Sequence, residues 1–400
     1  MSASVSSRQT ARRSGALAGP RASDPLSKHL EWLGRRQAEV SQHDILAIAV
    51  QHGGRRPLLR VSEASRQAQA AVEEFMASGG KRTDSPTTEL ALRLAQHEQA
   101  VDMLRRHCLA WDGIRTFLAA WRGLSQRLLD QTEIKYDELQ EMASVAERWV
   151  EDCHGLSPEG FWAVVRGLSQ ESASTVDREL RQELAEDAVQ SAWLIQTALR
   201  PAWEWHRERR SILLAALFRD VGRLALAPHL ASSARRGPEQ LAALKSAHPR
   251  VSAAMLGIVS GAPSTFTQTV GFHHEHLDGS GPFRVSAERL PLAARFVAVI
   301  ARVIELHRSR GSNSRASLGG LLEMEANRDW WDSSCVALLR VAQDKGELEQ
   351  VLASFAVQDQ TATSFDLHGE HTQPPETHLG RTARPAHAWQ EVLPRTATRH

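Results

Sequence analysis

Four segments of this 400-residue chain carry side chains suited to chemistry. The first is an apolar run from Leu213 that ends in Arg219-Asp220-Val221-Gly222-Arg223. The second is Lys245-Ser246-Ala247-His248-Pro249, where a histidine precedes an apolar helical stretch. The third is His273-His274-Glu275-His276, which runs into Asp278-Gly279-Ser280-Gly281-Pro282, and the fourth is the apolar run Ala294–Ala301, with Arg295 near its start. Imidazole and carboxylate donors suit borderline divalent metals, and two such ions about 4 Å apart suit phosphodiester cleavage. Successive helical side chains diverge by about 100°. His273 and His274 can therefore share a target only where the helix has ended, as the following Asp-Gly-Ser-Gly permits. Taken alone, the cluster is also the pattern of surface or helix-capping histidines.

The elements that must carry these residues are helical. From about Ser62 onward apolar residues recur at three- and four-residue spacings. A helix holding Glu73, Glu74 and Phe75 is predicted to end at Ser78-Gly79-Gly80, and further helical blocks cover Thr87–Leu129 and Ile134–Val150. Gly155-Leu156-Ser157-Pro158 is a break, with Ser157 a candidate N-cap and Pro158 at the first helical position. Asp44–Val50 and Pro57–Val61 flank Gly53-Gly54 and read as two short strands around a turn. The expected organisation is a disordered 1–27, a small β-containing segment at 28–62, a helical region at 63–165, a helical domain at 166–355 that carries the four segments, and a disordered tail at 356–400. Trp193, Trp203, Trp205, Trp330 and Trp331 read first as core residues, with base stacking the rarer use of such aromatics.

Taken in order, the four segments resemble the HD-GYP family, the metal-dependent phosphodiesterases that linearise cyclic di-GMP in bacterial signalling. Arg219-Asp220-Val221-Gly222-Arg223 stands at its His-Asp-x-Gly-Lys, and His248-Pro249 at its His-Pro pair. His273 to Pro282 stands at its His-His-Glu-x-x-Asp-Gly-Ser-Gly-Tyr-Pro, and Leu290-Pro291-Leu292-Ala293-Ala294-Arg295 at its Ile-Pro-x-x-Ala-Arg. Leu318-Gly319-Gly320-Leu321-Leu322 and Trp331-Asp332 look like its closing segments. The fold this implies is mainly α: an HD-superfamily helical domain preceded by a helical region and a small N-terminal β-hairpin segment. The resemblance makes Asp220, His248, His273 and His274 ligands of one divalent transition metal (Fe, Mn or Zn). It gives Asp220 a catalytic part, with Arg223 and Arg219 as weaker candidates that contact phosphate or steady charge.

The departures are as informative. Arg219 replaces the family's histidine, Arg223 its lysine, and the tyrosine before Pro282 is missing. Ala301 stands where a metal-binding aspartate is expected, and Asp187 or Gln190 where an upstream histidine is expected. On the resemblance, the ligands of one metal are absent while those of the other remain, and an Arg219 guanidinium could stand in for the lost cation beside Asp220. Three functions follow as expectations: a degenerate, regulatory protein that binds a cyclic dinucleotide or a signalling partner; a one-metal phosphodiesterase; or a helical interaction scaffold, with 62–185 pairing in a homodimer.

Composition narrows the classes. With 48 basic against 47 acidic residues, the net charge of +1 gives no broad attraction to nucleic acid polymers or membranes. No apolar run approaches the roughly 20 residues of a membrane span, and the first twenty residues lack the apolar stretch of a secretory signal. Cys108, Cys153 and Cys335 are too scattered for a metal motif and read as reduced thiols of a cytoplasmic protein.

Overall fold

The structure is a computed structural model. It describes residues 25–351 apart from 42, 52–55, 78–83, 155, 157–160, 171–177, 232–237, 310–325, 327–328 and 349–350. Residues 1–24 and 352–400 lie outside it, and so does the disorder expected of them. The same holds for Gly53-Gly54, the Ser157 cap and Leu318–Leu322. Pro25, expected in the disordered leader, instead begins a helix.

The described residues form thirteen α-helices: α1 (Pro25–Ser41), α2 (Ile45–Gln51), α3 (Arg56–Ala77), α4 (Asp84–Leu129), α5 (Tyr136–Cys153), α6 (Phe161–Gln170), α7 (Arg178–Leu199), α8 (Arg209–Phe218), α9 (Gly222–Ala231), α10 (Pro238–Leu256), α11 (Ser264–Gly271), α12 (Leu292–Ser309) and α13 (Ser333–Asp344). Short 3₁₀ turns cover Trp203–Trp205 and Ala287–Arg289. Among the described residues there is no strand. A single bridge joins Lys135 to Ser260.

The expected β-hairpin is therefore wrong: its two halves are α2 and the start of α3. Apolar runs of five to seven residues fit a buried helical turn as well as a strand. Here Ile45 and Ala49, four apart on one helical face, are both fully buried. Residues 44–50 thus pack by helical period.

Helix α4 is the spine. Its C-terminal half buries Trp111, Phe117, Leu118 and Trp121 in a core shared with α5, α7 and α8. Trp121 Nε1 donates to the Leu217 carbonyl at 2.9 Å, which ties the spine to the helix that carries Arg219 and Asp220. Every residue of α8 from Ile212 to Phe218 is buried, as expected of a helix apolar on all sides. Trp193, Trp205 and Trp331 lie in this core as read from sequence, and Trp330 stacks on His276 at a centroid distance of 4.6 Å. The Trp203 side chain lies outside the described residues.

The three cysteines are free and buried. Burial pushes the Cys108 and Cys335 thiols up to about 12, leaving them inert at neutral pH. No helix among the described residues is long and apolar enough to cross a membrane.

Candidate metal centre

Each donor reaches the centre by a local device. Helix α8 ends at Phe218, so Arg219 and Asp220 leave it in the turn before α9. Gly222 opens α9 against α10 at very short range. A Cβ there would sit 2.5 Å from Ser252 N and 2.6 Å from the His248 carbonyl oxygen, so only glycine lets the two helices approach. Gly222 N donates to Ser252 Oγ at 2.8 Å and pins that contact. His248 lies inside α10, which continues through Pro249 rather than starting after it as the sequence suggested.

His273 and His274 lie in the turn that follows α11, whose C-cap is Phe272. That turn frees both rings from helical divergence. His273 Nδ1 donates to the Val270 carbonyl at 2.7 Å, which fixes the tautomer and leaves the Nε2 lone pair facing the other donors.

These side chains converge. Ligand atoms of Asp220, His248, His273 and His274 all lie within 4.8 Å of one another. Asp220 Oδ1 is 2.9 Å from His248 Nε2 and 3.7 Å from His273 Nε2. His248 Nε2 is 3.3 Å from the Nε2 atoms of both His273 and His274. A tetrahedron of donors about 2.0–2.1 Å from its centre has edges of about 3.3–3.4 Å. The spacing and the donor chemistry therefore both fit one divalent cation.

The electrostatics agree. Burial pushes the Asp220 carboxyl up, but the Arg219 guanidinium and a hydrogen bond from His248 outweigh it and hold the group well below the usual carboxylate range. Burial lowers His273, with Asp220 partly opposing. Burial, reinforced by His273 and His248, brings His274 down to about 2. Both imidazoles are neutral lone-pair donors at neutral pH.

Arg219 occupies the far side of Asp220. It is 3% exposed, and its Nε contacts Asp220 Oδ2 at 3.0 Å. Its Nη1 donates to Ser191 Oγ at 2.5 Å and to the Ala216 carbonyl at 3.0 Å. Ser191 was missed by sequence reasoning, although it shares a face of α7 with Asp187 at a spacing of four. Asp187 and Gln190 are buried on the same helix, and Gln190 Oε1 has no hydrogen-bond partner among the described residues. Ala301 is buried on α12 and offers no donor.

The remaining motif residues are structural. Arg223 forms a bidentate pair with Glu183 of α7, 3.0 Å for each bond, so a phosphate would have to displace that carboxylate. Glu275 is 3% exposed and accepts from Phe283 N at 2.7 Å and Val285 N at 2.8 Å, closing the glycine-rich turn. Gly281 is required there because a Cβ would fall 2.6 Å from Glu275 Cα. Arg295 joins the Ala287 carbonyl at 2.7 Å to Asp332 Oδ2 at 3.0 Å. The Lys245 side chain lies outside the described residues.

Residues 172–335 match the HD domain family. The matched segment contains all four donors of the centre, a set that could hold a metal ion. No curated protein matches the chain. No solved structure matches it.

Proposed function

We propose that this chain acts in cyclic-dinucleotide signalling by binding rather than by turnover, through an HD domain reduced to one cation site. The observation that carries this reading is the division of the Asp220 carboxylate. Oδ1 faces the imidazoles of His248 and His273, and Oδ2 is held by Arg219. A guanidinium thus fills the side of the carboxylate that a second cation would need.

Asp220, His248, His273 and His274 would hold the remaining cation. When bound there, a divalent ion supplies Lewis acidity toward a phosphoryl oxygen. The protein's own groups favour holding over hydrolysis. Arg219 stays charged and cannot take a proton from water, and its Nε and Nη1 donors are committed to Asp220, Ser191 and Ala216.

The test is metal content, cyclic di-GMP calorimetry and cyclic di-GMP turnover on one preparation of the full chain. The expected result is about one equivalent of metal and a binding isotherm, with no linear dinucleotide formed. Turnover that His273→Ala abolishes would replace this reading with a one-metal hydrolase. Absence of both metal and binding heat would make the cluster a relic.

A further inference from the structure

Helix α3 and the first half of α4 form an arm with little core of its own. Ala68, Ala71, Leu90 and Leu94 form a buried apolar cluster between the two helices, separate from the main core, and two of the four are alanines. So small a buried face contributes little hydrophobic stabilisation. On the outer side, a groove of about 580 Å³ runs between the two helices, lined in part by Leu59, Arg60, Gln67 and Arg93, with Leu59 63% exposed.

The exposed face of α3 is ordered by charge. Arg56, Arg60, Glu63, Gln67, Ala70 and Glu74 follow one another at alternating spacings of four and three, which keeps them along one face of the helix. The basic residues Arg56 and Arg60 lie at one end, and Glu74, with Glu73 beside it, at the other; all four are exposed. Arg60 and Glu74 lie seven residues either side of Gln67. A two-fold axis at Gln67 would therefore set Arg60 of each copy against Glu74 of the other, about 21 Å apart along the helix.

We infer that this face pairs antiparallel with α3 of a second copy of this chain, each helix seated along the other's α3–α4 groove. A parallel arrangement would put like charges together at both ends. The antiparallel one places opposite charges at both ends and covers Leu59. Such an interface is isologous and closes at two copies. An acidic peptide from another protein would fit only the basic half and would leave Glu73 and Glu74 unmatched.

Sedimentation equilibrium of the full chain tests this, with circular dichroism confirming the helical content of each variant. The wild type should be dimeric. Arg60→Glu and Glu74→Arg should each weaken the dimer by about tenfold or more, as like charges meet twice across the axis. The double variant carrying both changes should regain wild-type dimerisation, and an equimolar mixture of the two single variants should form the mixed dimer. A wild-type chain that stays monomeric, or a dimer indifferent to both reversals, would overturn the inference.

Discussion

Arg219 Nε lies 3.0 Å from Asp220 Oδ2, with the arginine side chain 3% exposed and the carboxylate 16% exposed. Neither charge could be held there alone. Burial works against the Arg219 charge while Asp220 supports it, and Asp220 in turn depends on Arg219. The pair is also the joint between α8, which delivers it, and α7, which receives Nη1 through Ser191.

Removing one partner should therefore cost more than the pair contributes on balance. Arg219→Met keeps the stem and leaves the carboxylate uncompensated, and the expected loss is about 3–5 kcal/mol in chemical denaturation. The double change Arg219→Met with Asp220→Leu should lose markedly less. A single variant within about 0.5 kcal/mol of wild type, the ordinary range for surface changes, would show that the guanidinium does not balance Asp220.

Gly222→Ala should perturb both stability and the site. The added methyl meets backbone atoms of α10, at 2.5 Å for Ser252 N and 2.6 Å for the His248 carbonyl, and backbone cannot turn aside as a flexible side chain can. Helices α9 and α10 must separate, at a cost of roughly 1–3 kcal/mol, the range for overpacking. His248 moves with α10, so zinc affinity measured by competition with a chelating dye should fall too. An unchanged affinity would mean that His248 is placed independently of this helix contact.

Acid should remove the contribution of Asp332. This residue caps α13 by accepting from Ser334 N at 3.0 Å and pairs with Arg295 at 3.0 Å. Burial raises its pKa, but Ser334 and Arg295 outweigh that and bring the folded value below the ordinary one. A depressed carboxyl stabilises fully above the unfolded-state pKa of about 3.9 and loses its effect as pH falls through the lower folded value. The stability gap between wild type and Asp332→Asn, measured by denaturant titration, should be widest near neutrality and should close below that window. A gap that stays constant with pH would mean that the cap acts through shape alone.

What was legible in the sequence follows from how local each cause is. His273 and His274 could be read as a converging pair because the helix end and the glycine-rich turn that redirect them lie within ten residues. Helix α8 was legible from its unbroken apolar run. Gly222 could be seen as part of a motif, but its reason, the backbone of α10, lies thirty residues away. Arg223 was read toward phosphate because its partner Glu183 sits forty residues upstream on another helix. Ser191 escaped for the same reason, its spacing from Arg219 being twenty-eight. The misread hairpin is a different failure. Asp44–Val50 is too short to reveal a period, and only the packing of Ile45 and Ala49 decides it.

The centre itself should respond to metal. Without a cation, the donors cannot all be satisfied together. His273 donates from Nδ1 to Val270, so its Nε2 offers only a lone pair, and His274 Nε2 stands 3.3 Å from His248 Nε2. His248 Nε2 can donate to Asp220 Oδ1 at 2.9 Å, but the same proton cannot also serve the His273 Nε2 lone pair at 3.3 Å. A cation that replaces this proton joins all four groups and binds only the folded chain. Zinc at a hundredfold excess over its dissociation constant should then raise stability by about 2.7 kcal/mol, and EDTA should reverse the gain. His273→Ala removes a donor but leaves the Arg219 Nε–Asp220 Oδ2 contact in place, and the zinc-dependent rise in melting temperature should disappear in that variant. If wild type and variant respond to zinc alike, the ion is bound elsewhere.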